Sequence, residues 1–313
     1  MSARKMFLFG WSKRLDPKAM RDILSTMKRH SILIAIALVC STCFGQERIS
    51  DQIYMKNGGA AFTLDVFKAA KPDAPCVIWI CSGGWHSDHK DINPIIAKMF
   101  NDQGIAVVEV VHGSQPRFTL NEIVPQIKRA VRYVHANAAR FGIDSNRIGI
   151  SGASAGGHLS LMIGGTGDEG DTNAKDPVDK YPSSVNAVGA FMPPTDFLNW
   201  GKDAYIPFDN PAMAIYTPAF GVPKDAPKDR LAEVAKQFSP IVYVNPKFPP
   251  TMIIQGDKDA LVPMQQAQIM DAALGKQGID HSLVIVPGGG HDAKTLMEGF
   301  PKLINWYKSK FRL

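Results

Sequence analysis

The chain has 313 residues, 45% of them hydrophobic and 20% charged, which is enough apolar material to build one large α/β domain or two small ones. Its formal charge of +6 suggests an anionic partner, but residues 1–45 hold eight of the 35 basic residues and two of the 29 acidic ones, which leaves 27 of each. The remainder is formally neutral, and a nucleic-acid-binding surface is excluded on that ground.

Residues 1–26 carry no folding pattern and read as a translation-start artefact or an extension. Met27-Lys28-Arg29-His30 then gives a basic start, Ile32 to Cys40 is a run of nine apolar residues, and small residues follow. That layout predicts a secretory signal over about 27–45, cleaved near Gly45–Gln46, and an exported protein, periplasmic or extracellular. A membrane span needs about 20 apolar residues, so no stable membrane anchor is expected. Residues 46–313 are expected to form a single domain. Of the four cysteines, Cys40 and Cys43 leave with the signal. Cys76 and Cys81 lie in one extended run, about 16 Å apart at strand spacing, too far to bond to each other. No cysteine or histidine spacing suits zinc or an iron–sulfur cluster, so neither a metal nor a cofactor is expected.

From Phe62 onward, apolar runs alternate with helical patterns. Phe62–Phe67 alternates as an antiparallel opening strand would, and Val77–Ile80 and Ile105–Val111 read as buried strands. Apolar positions at Ile123, Ile127, Val131, Val134 and Ala138 predict a helix over Glu122–Phe141, with Pro125 in its first turn. Strands at 147–151, Ala187–Met192, Met252–Gln255 and Leu283–Val286 follow, the last two separated by a helix opened by Pro263. Such alternation predicts a mostly parallel sheet with helices on both faces. The stretch 193–250 breaks the rhythm with Pro, Asp and aromatics, among them Phe197, Trp200, Tyr205, Phe208, Tyr216 and Phe220. It is expected to be a lid-like insertion over the carboxyl ends of the strands, where open α/β sheets bind ligands.

Gly152-Ala153-Ser154-Ala155-Gly156 follows the strand at 147–151 and precedes a helical segment, the arrangement of a nucleophile elbow. The small residues allow a turn sharp enough to expose the Ser154 hydroxyl, and the Ala155 N–H would open the next helix, where developing negative charge is favoured. A serine needs a base oriented by a carboxylate, and both should lie on loops after later strands. His291, in Gly288-Gly289-Gly290-His291 after the last strand, has that place. His30 lies in the signal, His135 in mid-helix and His281 at the wrong strand end. For the carboxylate, Asp257 and Asp259 compete: Asp257 comes straight off the strand and suits local turn amides, whereas Asp259, further round the loop, reaches the histidine better. After Val77–Ile80, Cys81-Ser82-Gly83-Gly84-Trp85 offers backbone N–H groups of Gly83 and Gly84 as oxyanion donors, with Ala155 as the third. Trp85 either walls an acyl pocket or packs beside the sheet, and His158 is expected to bond neighbouring backbone.

Together these residues resemble the α/β-hydrolase fold, and within it esterases of the hormone-sensitive-lipase and feruloyl/acetyl-xylan-esterase-like group. The resemblance covers roughly residues 60–310 and rests on three motifs in order: Trp79 to Trp85, Gly152 to Leu159, and Gly256 to Pro263. It implies a triad of Ser154, Asp259 and His291 and oxyanion donors Gly83, Gly84 and Ala155. Cys81 and Ser82 stand where the family has His-Gly, and Val111-His112-Gly113 where it often has a Tyr-Arg pair, so the hydrogen bonds supporting the oxyanion loop are expected to differ. The implied function is serine carboxylesterase acting on short-chain acyl, aryl or polysaccharide-linked esters. A serine exopeptidase of the same fold and a non-catalytic ligand-binding relative are the alternatives.

Overall fold

In β3, Ala74–Cys81, every residue is buried, and alternate side chains enter two different cores: Cys76, Ile78 and Ile80 on one face, Val77, Trp79 and Cys81 on the other. A strand buried on both faces belongs to the middle of a covered sheet. The computed structural model describes residues 47–201, 214–223 and 226–313, and their strands form one eight-stranded sheet. Besides β3 these are β1 (Arg48–Asn57), β2 (Ala60–Phe67), β4 (Ala106–Val111), β5 (Ile143–Ala153), β6 (Ala187–Phe191), β7 (Thr251–Gly256) and β8 (His281–Val286). The order is β1-β2-β4-β3-β5-β6-β7-β8. Pairing is antiparallel for β1–β2 and β2–β4 and parallel elsewhere, so the carboxyl ends of β3, β5, β6, β7 and β8 share one edge.

Helices cover both faces. The first core takes side chains from α2 (Leu120–Ala136), α3 (Ala155–Thr166) and α5 (Met264–Lys276), including Ile123, Leu159 and Met270. The second takes Ala97 and Phe100 from α1 (Pro94–Asn101), and Phe300, Leu303 and Tyr307 from α6 (Ala293–Phe311).

Several elements differ from the sequence pattern. Strand β1 is an addition: most of its residues are exposed or half-buried, so it lacks a strong apolar signal. Helix α2 starts at Leu120, earlier than expected, because the Glu122 carboxylate accepts the Thr119 N–H (3.0 Å) and caps the helix there. Pro125 therefore stands inside the helix and not in its first turn. The same helix breaks at Asn137, and Ala138–Phe141 forms a separate turn. Among the described residues of the 193–250 stretch lie α4 (Lys228–Gln237) and two 3₁₀ turns, Ala214–Phe220 and Pro240–Tyr243. Phe197, Trp200, Phe220, Phe238 and Phe248 are all buried in the first core. Tyr205, Phe208, the N-terminal extension and the signal segment lie outside the described residues. Among the described residues no helix is long and apolar enough to cross a membrane.

Candidate active site

The turn that carries Ser154 is built by close backbone approach. A Cβ on Gly152 would stand 2.5 Å from the Gly156 carbonyl carbon, and one on Gly156 would stand 2.7 Å from the Ile80 oxygen, so neither position admits a side chain. Between them Ser154 adopts φ 54° and ψ −117°, a strained conformation for a residue with a Cβ and the geometry of a nucleophile elbow. Its N–H donates to the Phe191 carbonyl of β6 (2.8 Å), and its own carbonyl accepts the His158 N–H (2.9 Å) in the first turn of α3. Ala155, the first residue of that helix, is buried. Its N–H belongs to the first turn, whose amides have no intrahelical partner.

His291 and Asp259 meet across the loops after β8 and β7. The Nδ1–H of His291 donates to Asp259 Oδ2 (2.8 Å). A carboxylate can only accept, so the proton sits on Nδ1 and the Nε2 lone pair is left free. Asp259 Oδ1 accepts the N–H groups of Leu261 (2.9 Å) and Val262 (2.8 Å), and its side chain is wholly buried. Asp257 is used elsewhere, its Oδ1 accepting the Gly288 N–H at 2.7 Å. Strand order puts Ser154, Asp259 and His291 at the same sheet edge. The structure joins the last two by a hydrogen bond and makes none to the Ser154 hydroxyl among the described residues.

The proposed oxyanion loop requires a correction. Gly83 N–H donates to the His86 carbonyl and His86 N–H to the Gly83 carbonyl, both at 3.0 Å. Gly84 and Trp85 between them have φ 56° and 59°, the paired positive values of a type I′ turn. The Gly83 amide is therefore committed within the turn and is not a free donor. Gly84 sits at the apex, where an i+1 amide is left outside the turn's own hydrogen bonds.

Of the two readings of Trp85, pocket wall or packed residue, the structure shows the packing. It is 3% exposed, its ring packs against His158, Phe197, Tyr216 and Phe220, and its Nε1–H donates to His158 Nδ1 (3.1 Å). His158 Nε2–H donates in turn to the Phe238 carbonyl (2.7 Å), so both ring nitrogens are spent, and burial pushes its pKa down to about 4. A neutral, fully bonded imidazole is a structural part and not a base.

The segment after β4 supports the turn in place of the absent His-Gly pair. Gln115 donates its N–H to the Trp85 carbonyl (3.1 Å), and its Nε2 to the carbonyls of Gly84 (3.0 Å) and Ile215 (3.3 Å). Ser87 Oγ–H donates to the Cys81 carbonyl (2.5 Å), while Ser87 N–H donates to Ser114 Oγ (2.8 Å). A lone glutamine among loop residues carries no sequence signal for this task. Cys76 and Cys81 are buried free thiols, and burial raises the pKa of both. Beside the elbow opens a cavity of about 530 Å³ whose lining includes Ser82, Gly83, Ser87, Lys90, Ser114 and Ala153. The Ser82 hydroxyl is buried without a partner. Among the described residues one group could draw a cation, Asp51, Asp65 and His89, but Arg48 already pairs with Asp65 (2.5 Å) and His89 with Asp51 (2.9 Å).

A mostly parallel sheet clad in helices, with a strained serine between β5 and α3, defines an α/β hydrolase. The chain belongs to the BD-FAE family, which it matches over residues 64–274. It is 28% identical over 237 residues to esterase LipC of Mycobacterium tuberculosis, covering 73% of this chain and 56% of that protein. Overall the chain spans about half the length of the curated relatives it matches. Among solved structures, a truncated carbohydrate esterase from gut microbiota aligns with a TM-score of 0.73 at 24% identity, covering 85% of this chain and 97% of that one. An acetyl ester-xyloside bifunctional hydrolase from Caldicellulosiruptor lactoaceticus aligns at 0.70 and 22%, covering 86% and 98%.

Proposed function

We propose that the chain is a serine carboxylesterase with Ser154, His291 and Asp259 as its triad. The observation that carries this is the His291–Asp259 bond, which leaves a basic Nε2 at the sheet edge that also holds the strained serine. In this mechanism Nε2 takes the Ser154 proton as the hydroxyl attacks the ester carbonyl, and Asp259 holds the imidazolium through Nδ1. The Gly84 and Ala155 N–H groups stabilise the oxyanion. His291 returns the proton to the departing alcohol, then activates water, which releases the acid and frees Ser154. Ser154→Ala is expected to abolish p-nitrophenyl ester hydrolysis and fluorophosphonate labelling while leaving the circular dichroism spectrum unchanged. Retained turnover rejects Ser154 as the nucleophile.

For substrate we infer acyl esters on carbohydrate. Support comes from the carbohydrate esterase and the acetyl ester-xyloside hydrolase among the aligned structures, and from the cavity beside the elbow, whose lining includes the polar residues Ser87, Lys90 and Ser114. Acetyl-xylan and methyl ferulate, assayed beside a chain-length series of p-nitrophenyl esters, test this; preference for long aliphatic chains overturns it. Export through the 27–45 leader is part of the same proposal, and the N-terminal sequence of the secreted protein tests it.

A further inference from the structure

Strand β7 reads Thr251-Met252-Ile253-Ile254-Gln255-Gly256, and all six residues are buried. A glutamine at 0% exposure in the middle of a sheet needs an explanation, because a buried amide costs stability unless its hydrogen bonds are made. Gln255 makes them on one side only. Its Nε2 donates to Asp259 Oδ2 (3.0 Å) and to the Val262 carbonyl (3.1 Å), while Oε1 is buried with no partner. Turning the amide over would not relieve this. The oxygen would then face a carboxylate and a carbonyl, both acceptors. The orphaned Oε1 is thus the consequence of keeping an N–H on Asp259.

We propose that Gln255 is a positioning residue that acts on His291 through Asp259. Asp259 Oδ2 receives two donors, the Gln255 amide and the His291 Nδ1–H, and Oδ1 receives the Leu261 and Val262 N–H groups. The loop amides hold one oxygen, and Gln255 holds the other, the same oxygen that accepts the His291 Nδ1–H. Anchored at both ends, the carboxylate presents Oδ2 to the imidazole in one orientation and with its charge already shared by a neutral donor. This keeps the ring aimed while its Nε2 gains a proton. The site does so at the expense of a buried unpaired oxygen.

The kinetic part of the test rests on the esterase reading; the spectroscopic part does not. In Gln255→Met, which fills similar volume and removes both the donor and the orphan, the melting temperature is expected to stay level or rise. With a p-nitrophenyl ester, kcat is expected to fall about tenfold with KM unchanged, the pattern of an interaction made in the transition state. The downfield proton resonance of His291 Nδ1–H, identified by its loss in His291→Gln, is expected to move. Unchanged kcat overturns the proposal, and so does a fall in kcat with the resonance unmoved or with an equal rise in KM. Should the methionine variant not fold, Gln255→Asn, which withdraws the amide by one methylene, carries the same readouts and the same criteria. An inactive wild-type chain whose resonance still responds to residue 255 defeats the esterase reading alone.

Discussion

Glu109 and Asp65 face each other across β4 and β2, both at 0% exposure, yet they are treated differently. Asp65 is paired with Arg48 (2.5 Å), whereas Glu109 has an Asn93 N–H (2.5 Å) and the Cys81 thiol on one oxygen and nothing on the other. Burial therefore raises the Glu109 pKa from 4.5 to about 7, against the lowering effect of the Asn93 N–H. A raised folded-state pKa contributes stability that is full below the ordinary value and is lost as pH rises through about 7. His112 and His158, pushed down to about 4 by burial, act in the opposite sense, since their contribution is lost as pH falls from 6.5 toward 4. Comparing wild type with Glu109→Gln cancels the histidines. The variant is expected to gain on the wild type between pH 5 and 8, by up to roughly 3 kcal/mol, as read from urea unfolding at each pH.

At the scale of the element, the type I′ turn at Gly83–His86 depends on a neighbour that is distant in sequence. Gln115→Leu leaves the Gly84 and Ile215 carbonyls without their amide and is expected to lower kcat about tenfold with little change in KM, measured by steady-state hydrolysis of a p-nitrophenyl ester. The contrast with the elbow explains what was legible in the sequence. Gly152 and Gly156 announce themselves because backbone stands where a Cβ would go, and His291 and Asp259 because each follows a recognisable strand. Gln115 and Gln255 stay hidden because either would look the same in any polar loop or strand end. The commitment of Gly83 was hidden too, since glycines in a row signal freedom of the backbone and not which amide is used. β1 was unreadable for want of a buried face, and α2 began early because one carboxylate reached back to Thr119.

For the whole molecule, five described aromatic residues of the 193–250 stretch, Phe197, Trp200, Phe220, Phe238 and Phe248, belong to the first core. Phe197 touches Trp85, His158, Trp200 and Phe220, which ties the stretch to the oxyanion turn and to α3. Phe197→Ala is expected to cost about 3–5 kcal/mol and to leave a single thermal transition, since Phe197 and its buried aromatic neighbours are part of the first core. Two transitions by circular dichroism would show that the stretch unfolds by itself. The amide of Gln115 serves the Gly84 and Ile215 carbonyls at once. Anyone grafting this stretch onto a relative, to trade one selectivity for another, would therefore have to carry residue 115 along with it; a chimera that leaves it behind keeps its nucleophile but inherits a slack hinge beneath the acyl group.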